Sequence, residues 1–206
     1  MLINMIDDQS IQMYATLCQI FIFFQCYEKP FKIKEKRSKY GQKMAKKGKK
    51  KIMLKVLFIC HGNICRSTMA QYIAQHLVTQ SGMESNFYID SAATSREEIG
   101  NPVHYGTRRK LEAEGIFCGD HRARQLKKSD YDEFDFLIGM DTQNIRNMYR
   151  ILGEDPEQKV YKLLDFTERK GDIADPWYTG NFDLTYRDVL DGCRGLLKFI
   201  EEQESV

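Results

Sequence analysis

From residue 55 onward, apolar and polar positions alternate between two periods. "KVLFI", residues 55 to 59, is a continuous run of branched and aromatic residues, the pattern of a strand buried on both faces. Ser67 leads into "TMAQYIAQHLVTQSG", where Met69, Ile73, Leu77 and Val78 fall near helical spacing and Gly82 marks the stop. The same grammar repeats. "NFYID" (86 to 90) predicts a second strand, and "VHYGTRRKLEAEG" (103 to 115) a helix ended by Gly115. "DFLIGM" (135 to 140) predicts a third strand before a helix at "TQNIRNMYRIL", and "KVYKLL" (159 to 164) a fourth. In "FDLTYRDVLDGCRGLLKFIEEQ", residues Phe182, Tyr186, Val189, Leu190, Cys193, Leu196, Leu197 and Ile200 mark a closing amphipathic helix. Strands alternating with helices imply an α/β domain, a parallel sheet with helices on both faces joined by right-handed crossovers. Ligands of such sheets collect at the carboxyl ends of the strands.

The first 52 residues follow neither period. The apolar run "YATLCQIFIFFQCY" precedes "KPFKIKEKRSKYGQKMAKKGKKK", a lysine-rich tract. Residues 1 to 55 hold 13 Lys and Arg against 4 Asp and Glu, while the whole chain holds 31 against 29, which leaves residues 56 to 206 acidic by seven. A nucleic-acid partner is therefore not expected for the domain. Three readings compete for residues 1 to 52. Met53 is expected to be the true start, with the preceding residues an upstream mis-translation. A membrane anchor over residues 11 to 27 is short and interrupted by Gln12, Gln19 and Gln25, and a polybasic arm is the third possibility. The expected division is 1–52, a basic extension, and 53–206, the folded domain. Six scattered cysteines without a secretory signal fit free thiols in the cytoplasm.

Chemistry concentrates in "CHGNICRST" after the first strand. Gly62 and Asn63 are able to take left-handed backbone angles, so that the peptide N–H groups of His61, Gly62, Asn63, Ile64, Cys65 and Arg66 converge on one point at a helix start. That is an anion cradle, and Arg66 adds a planar fork suited to phosphate. A thiol at its base, Cys60, is expected as a thiolate nucleophile that attacks phosphorus. The leaving oxygen then needs a proton, and Asp175 in "ADPWYTG" is the candidate acid, with Trp177 and Tyr178 offering a stacking surface for a flat substrate group. The bland alternatives are that Cys60 and Cys65 are buried structural cysteines and that Asp175 only shapes a turn before Pro176. Cys-x4-Cys lacks a second pair at zinc spacing, so no metal is expected.

The segment "VLFICHGNICRS" resembles the signature of the low-molecular-weight protein tyrosine phosphatases, bacterial type. Further matches are "DSAATSREEIGNPV", "RARQL", "GMDTQNIRNM" and "DPWYTG", in order from Met53 to the end. The resemblance implies a four-stranded parallel sheet of flavodoxin-like type, the phosphotyrosine phosphatase I fold, and no cofactor. It implies that Cys60 is the nucleophile, Arg66 the phosphate and transition-state ligand, and Asp175 the acid and then the base. It makes Asn63, Ser67, Ser91 and His121 supports of the loop, and Cys65 a partner able to form a reversible disulfide with Cys60. The implied partner is a phosphotyrosine-containing protein, with inorganic phosphate as product and no membrane. Two positions depart from the family pattern: Thr68 stands where many members have Pro, and Trp177 where animal members have Tyr. Arginine phosphatases of the same fold resemble the loop but carry Thr where this chain has Ile64. Arsenate reductases need two cysteines after the third strand, where "GMDTQNIRNMYRIL" has none. These two activities, and a membrane-tethered phosphatase, are the alternatives.

Overall fold

The computed structural model describes residues 53–204. The readings of residues 1 to 52, including the anchor over 11 to 27, lie outside the described residues.

Strand β1 (Leu54–Cys60) is an inner strand of the sheet. Its side chains alternate between two cores, as a strand's period of two requires. Leu54, Val56, Phe58 and Cys60 face the larger core, while Leu57 and Ile59 face the smaller one. Apolar residues at both parities are why the segment reads as an unbroken run. Helix α1 (Arg66–Gln80) follows, then β2 (Phe87–Ala93), α2 (Tyr105–Ala113), the short α3 (Asp130–Glu133), β3 (Phe136–Gly139) and α4 (Thr142–Leu152). Strand β4 (Val160–Lys162), the one-turn α5 (Pro176–Thr179) and α6 (Phe182–Glu204) complete the order. All strand pairs are parallel, in the order β2-β1-β3-β4. Residues of α1, α2 and α6 fill the larger core, and residues of α3 and α4 the smaller. The chain runs from β1 to one side of the sheet and then crosses to the other. This makes the carboxyl end of β1 the topological switch point, where doubly wound sheets bind ligands.

The helix stops fall near their predicted places: Gly82 and Gly115 adopt φ of 65° and 73° just beyond α1 and α2. Two sequence readings need correction. The fourth strand is only three residues long, because Leu163–Phe166 turn into a 3-10 helix whose Asp165 carboxylate accepts the Lys162 N–H at 3.0 Å. Gly62 does not adopt a positive φ; among residues 61 to 66 Asn63 alone does, at 60°. What glycine supplies at position 62 is room, since an added Cβ would lie 3.0 Å from the Glu98 side chain.

Helix α6 approaches the 3-10 turn so closely that a Cβ on Gly195 would sit 2.2 Å from the Phe166 carbonyl oxygen. Gly195→Ala improves intrinsic helix propensity by about 1 kcal/mol, but overpacking against backbone costs about 1–3 kcal/mol. The clash is expected to win. A lower urea midpoint for Gly195→Ala, at unchanged slope, would show it, and a raised midpoint would refute it.

Candidate active site

Residues 61 to 65 loop from the end of β1 into α1. The segment leaving β2 pins this loop: the Thr94, Ser95 and His104 N–H groups donate to the carbonyls of Cys60, His61 and Ile64 at 2.8, 2.9 and 2.9 Å.

Asn63 organises the interior. Its carbonyl Oδ1 accepts the Arg124 N–H at 3.0 Å, and this fixes the amide's orientation. Its Nδ2 then donates to Ser67 Oγ at 3.0 Å and to Ser91 Oγ at 2.8 Å. Ser91 passes its own hydrogen to Gln71 Oε1 at 2.6 Å. Because Ser67 Oγ accepts from an amide that can only donate, its hydroxyl hydrogen is available to Cys60 Sγ, 3.0 Å away. The Asn63 N–H also donates to that sulfur, at 3.3 Å. Cys60 is 3% exposed. His121 Nε2 lies 2.9 Å from the Asn63 carbonyl, which can only accept, so the proton is on Nε2. Burial lowers the proton affinity of His121 below the usual histidine range, with the bond to Asn63 opposing.

Arg66 is buried, and carboxylates hold its outer nitrogens. One Nη donates to Asp141 Oδ2 at 2.5 Å and to the Ile173 carbonyl at 3.0 Å; the other donates to Asp175 Oδ2 at 2.5 Å. Burial works against the guanidinium charge, but Cys60, Asp175 and Asp141 outweigh it and hold Arg66 above its ordinary proton affinity. Its Nε is buried without a protein partner. Buried donors are normally satisfied, so this N–H is free for an anion's oxygen. Each carboxylate is itself anchored at a helix start. Asp141 Oδ1 caps α4 through the Asn144 N–H at 2.6 Å, and Asp175 Oδ1 caps α5 through the Trp177 N–H at 3.1 Å.

Cys65 sits at the N-cap position of α1, buried, and its thiol is pushed up to about 12 by burial, then by the negative charges of Cys60 and Asp175. Cys118 is raised to about 11 and Cys193 is raised as well, both by burial. Trp177 and Tyr178 are 56% and 82% exposed, and of the two only Trp177 lines the groove beside the loop. Trp177 shares a groove with Ile64, Glu98, His104 and Arg108. Among the described residues no cluster of three or more His, Cys, Asp or Glu is placed to hold a metal ion, and no helix is long and apolar enough to cross a membrane.

The structure thus gathers Cys60, Asn63, Arg66, Ser67, Ser91, His121 and Asp175 at one end of the sheet. Residues reading missed Asp141, Gln71 and Arg124. Asp141 had a visible signal, a capping aspartate two residues after the β3 strand.

The model of the low molecular weight phosphotyrosine protein phosphatase family matches residues 55–206. The chain belongs to that family. The low molecular weight protein-tyrosine-phosphatase YfkJ of Bacillus subtilis is 39% identical over 156 residues, covering 75% of this chain and 100% of that one. Its crystal structure superposes with a TM-score of 0.72, at 40% identity over 74% of this chain and 97% of that chain. The rat low molecular weight phosphotyrosine protein phosphatase is 36% identical over 148 residues, covering 69% and 93%. A Drosophila arginine phosphatase superposes at TM-score 0.65 with 28% identity, over 72% and 98%. Phosphatases that share this fold therefore carry more than one named activity, which makes the walls of the pocket as informative as its floor.

Proposed function

We propose that this phosphatase hydrolyses phosphotyrosine in proteins through a phosphocysteine intermediate, within a domain spanning residues 53–206. The observation that carries the reading is the meeting of a buried sulfur, a permanent cation with one unsatisfied N–H, and a carboxylate at a single loop mouth.

The phosphate oxygens take the loop N–H groups and the Arg66 fork. Cys60 Sγ attacks phosphorus in line, and the bond from phosphorus to the tyrosine oxygen breaks. Asp175 gives that oxygen its proton, so tyrosine leaves neutral. In the second step Asp175 takes a proton from water as the water oxygen attacks phosphorus. The S–P bond breaks, inorganic phosphate leaves and the Cys60 thiolate returns. The Ser67 hydroxyl supports the sulfur in both steps, while Asn63, Ser91 and His121 hold the loop's shape. Arg66 meets the charge that develops on the transferring group. Ile64 and the exposed Trp177 and Tyr178 support an aryl ester over a phosphoguanidine. All four cysteines among the described residues are free thiols, in keeping with work in a reducing cytoplasm.

The discriminating assay offers matched phosphotyrosine and phosphoarginine peptides. At least a tenfold higher kcat/KM on phosphotyrosine is expected, equivalent to about 1.4 kcal/mol in the transition state. A preference for phosphoarginine would overturn the substrate assignment while leaving the covalent mechanism standing.

A further inference from the structure

His104 lies outside the reacting groups and touches three of the walls around them. Its backbone N–H is fastened to the Ile64 carbonyl of the catalytic loop. Its Nδ1 accepts the Gly106 N–H at 3.1 Å and so caps α2. Its ring stacks on Phe182 at the start of α6, with centroids 5.4 Å apart and planes 5° from parallel, and meets the Trp177 ring edge-on at 5.6 Å and 69°. The stack depends on glycine at position 106, since a Cβ there would lie 2.5 Å from the Phe182 ring. Trp177 has little else to fix it. It belongs to a helix of four residues, and the contact with His104 is its one ring contact among the described residues.

We propose that His104 is a positioning residue that holds the Trp177 ring in place as a wall of the phosphate pocket, and so sets the preference for flat aryl esters without touching the phosphate. This rests on the phosphotyrosine reading of the same site. Aspartate or asparagine would cap α2 equally well, so the cap alone does not call for an imidazole; the edge-on contact with Trp177 does. With Nδ1 accepting, the neutral ring carries its proton on Nε2. A second proton would have to sit on Nδ1, facing the Gly106 N–H and the positive end of α2. Burial lowers the proton affinity of His104, with Glu98 opposing. Tyr105 lies against the ring at 4.5 Å and Arg108 lines the same groove, while Asp175 and Asp183 belong to the helix starts that carry Trp177 and Phe182. A depressed histidine is neutral above the ordinary histidine range near about 6.5, and the wall is disturbed only as pH falls below it.

Trp177 is the single tryptophan of the chain, so its emission reports this contact directly. The emission is expected to titrate below pH ~6.5 in the wild-type protein and to lose that inflection in His104→Asn. An inflection from Asp175 or Glu98 would persist in both. His104→Asn keeps a capping side chain and removes the ring. Its KM for a phosphotyrosine peptide is expected to rise about three- to tenfold, the scale of one aromatic contact, with competitive inhibition by inorganic phosphate unchanged. His104→Phe keeps a ring and should recover most of that loss. In a Trp177→Ala background, His104→Asn should add nothing. The proposal is overturned if His104→Asn leaves KM unchanged, weakens inorganic phosphate by the same factor, keeps the emission inflection, or adds fully to Trp177→Ala. If the wild-type protein left the phosphotyrosine peptide intact, the functional reading would fail, while the emission titration would still decide whether His104 holds Trp177.

Discussion

Cys60→Ser is expected to lower kcat on aryl phosphates by about 10^4-fold or more, the scale seen when a covalent nucleophile is removed, while the folded protein still binds inorganic phosphate. Serine fits the position sterically and can keep the bonds that Asn63 N–H and Ser67 Oγ make to the sulfur. The loop, Arg66 and the β1 core around them are then undisturbed. An alcohol at this site is not ionised at neutral pH, and the groups bonded to the sulfur here, the Ser67 hydroxyl and the Asn63 N–H, are not bases. The assay pairs steady-state hydrolysis with calorimetric phosphate binding. Substantial residual turnover would mean that water attacks phosphorus directly and that Cys60 is a bystander. Loss of phosphate binding together with turnover would mean that the thiol shapes the cradle rather than reacting in it.

Asp175→Asn is expected to lower kcat on tyrosine phosphate by about 10^2- to 10^4-fold, the usual contribution of a positioned proton donor. The substitution is clean for a structural reason. Asparagine caps a helix as well as aspartate does, so the α5 start is kept, and Arg66 remains held by Asp141 and the Ile173 carbonyl. The loss should depend on the leaving group. Tyrosine, with a solution pKa near about 10, needs the proton badly, whereas a nitrophenol leaves readily as the anion. A much smaller loss on a nitrophenyl ester than on tyrosine phosphate identifies proton transfer; equal losses on both would assign Asp175 to holding Arg66 instead.

Much of this arrangement was legible in the chain because it is local. An unbroken apolar run at both parities announced β1, the residues just after it announced an anion cradle, and helical spacing with a following glycine located α1 and α2. What escaped was non-local. Asp141 and Asp175 are both helix-capping aspartates, 34 positions apart in sequence, but only folding reveals that the two carboxylates converge on the same guanidinium. Arg124 acts on the loop through its backbone N–H, which carries no trace of its identity in the sequence. Gly62 was assigned backbone freedom when its contribution is space beside Glu98, a distinction that depends on where another loop passes. His104 looked like an ordinary helix residue because its partners, Ile64, Trp177 and Phe182, come from three separate segments.

The three thiols that burial raises have a practical consequence. Cys65, Cys118 and Cys193 hold their protons at neutral pH, so among the described cysteines they form a slowly reacting background. An alkylating reagent followed by peptide mapping can therefore count competent sites: label on the Cys60 peptide, suppressed by added inorganic phosphate, measures the fraction of a preparation that is ready to react, independently of any substrate.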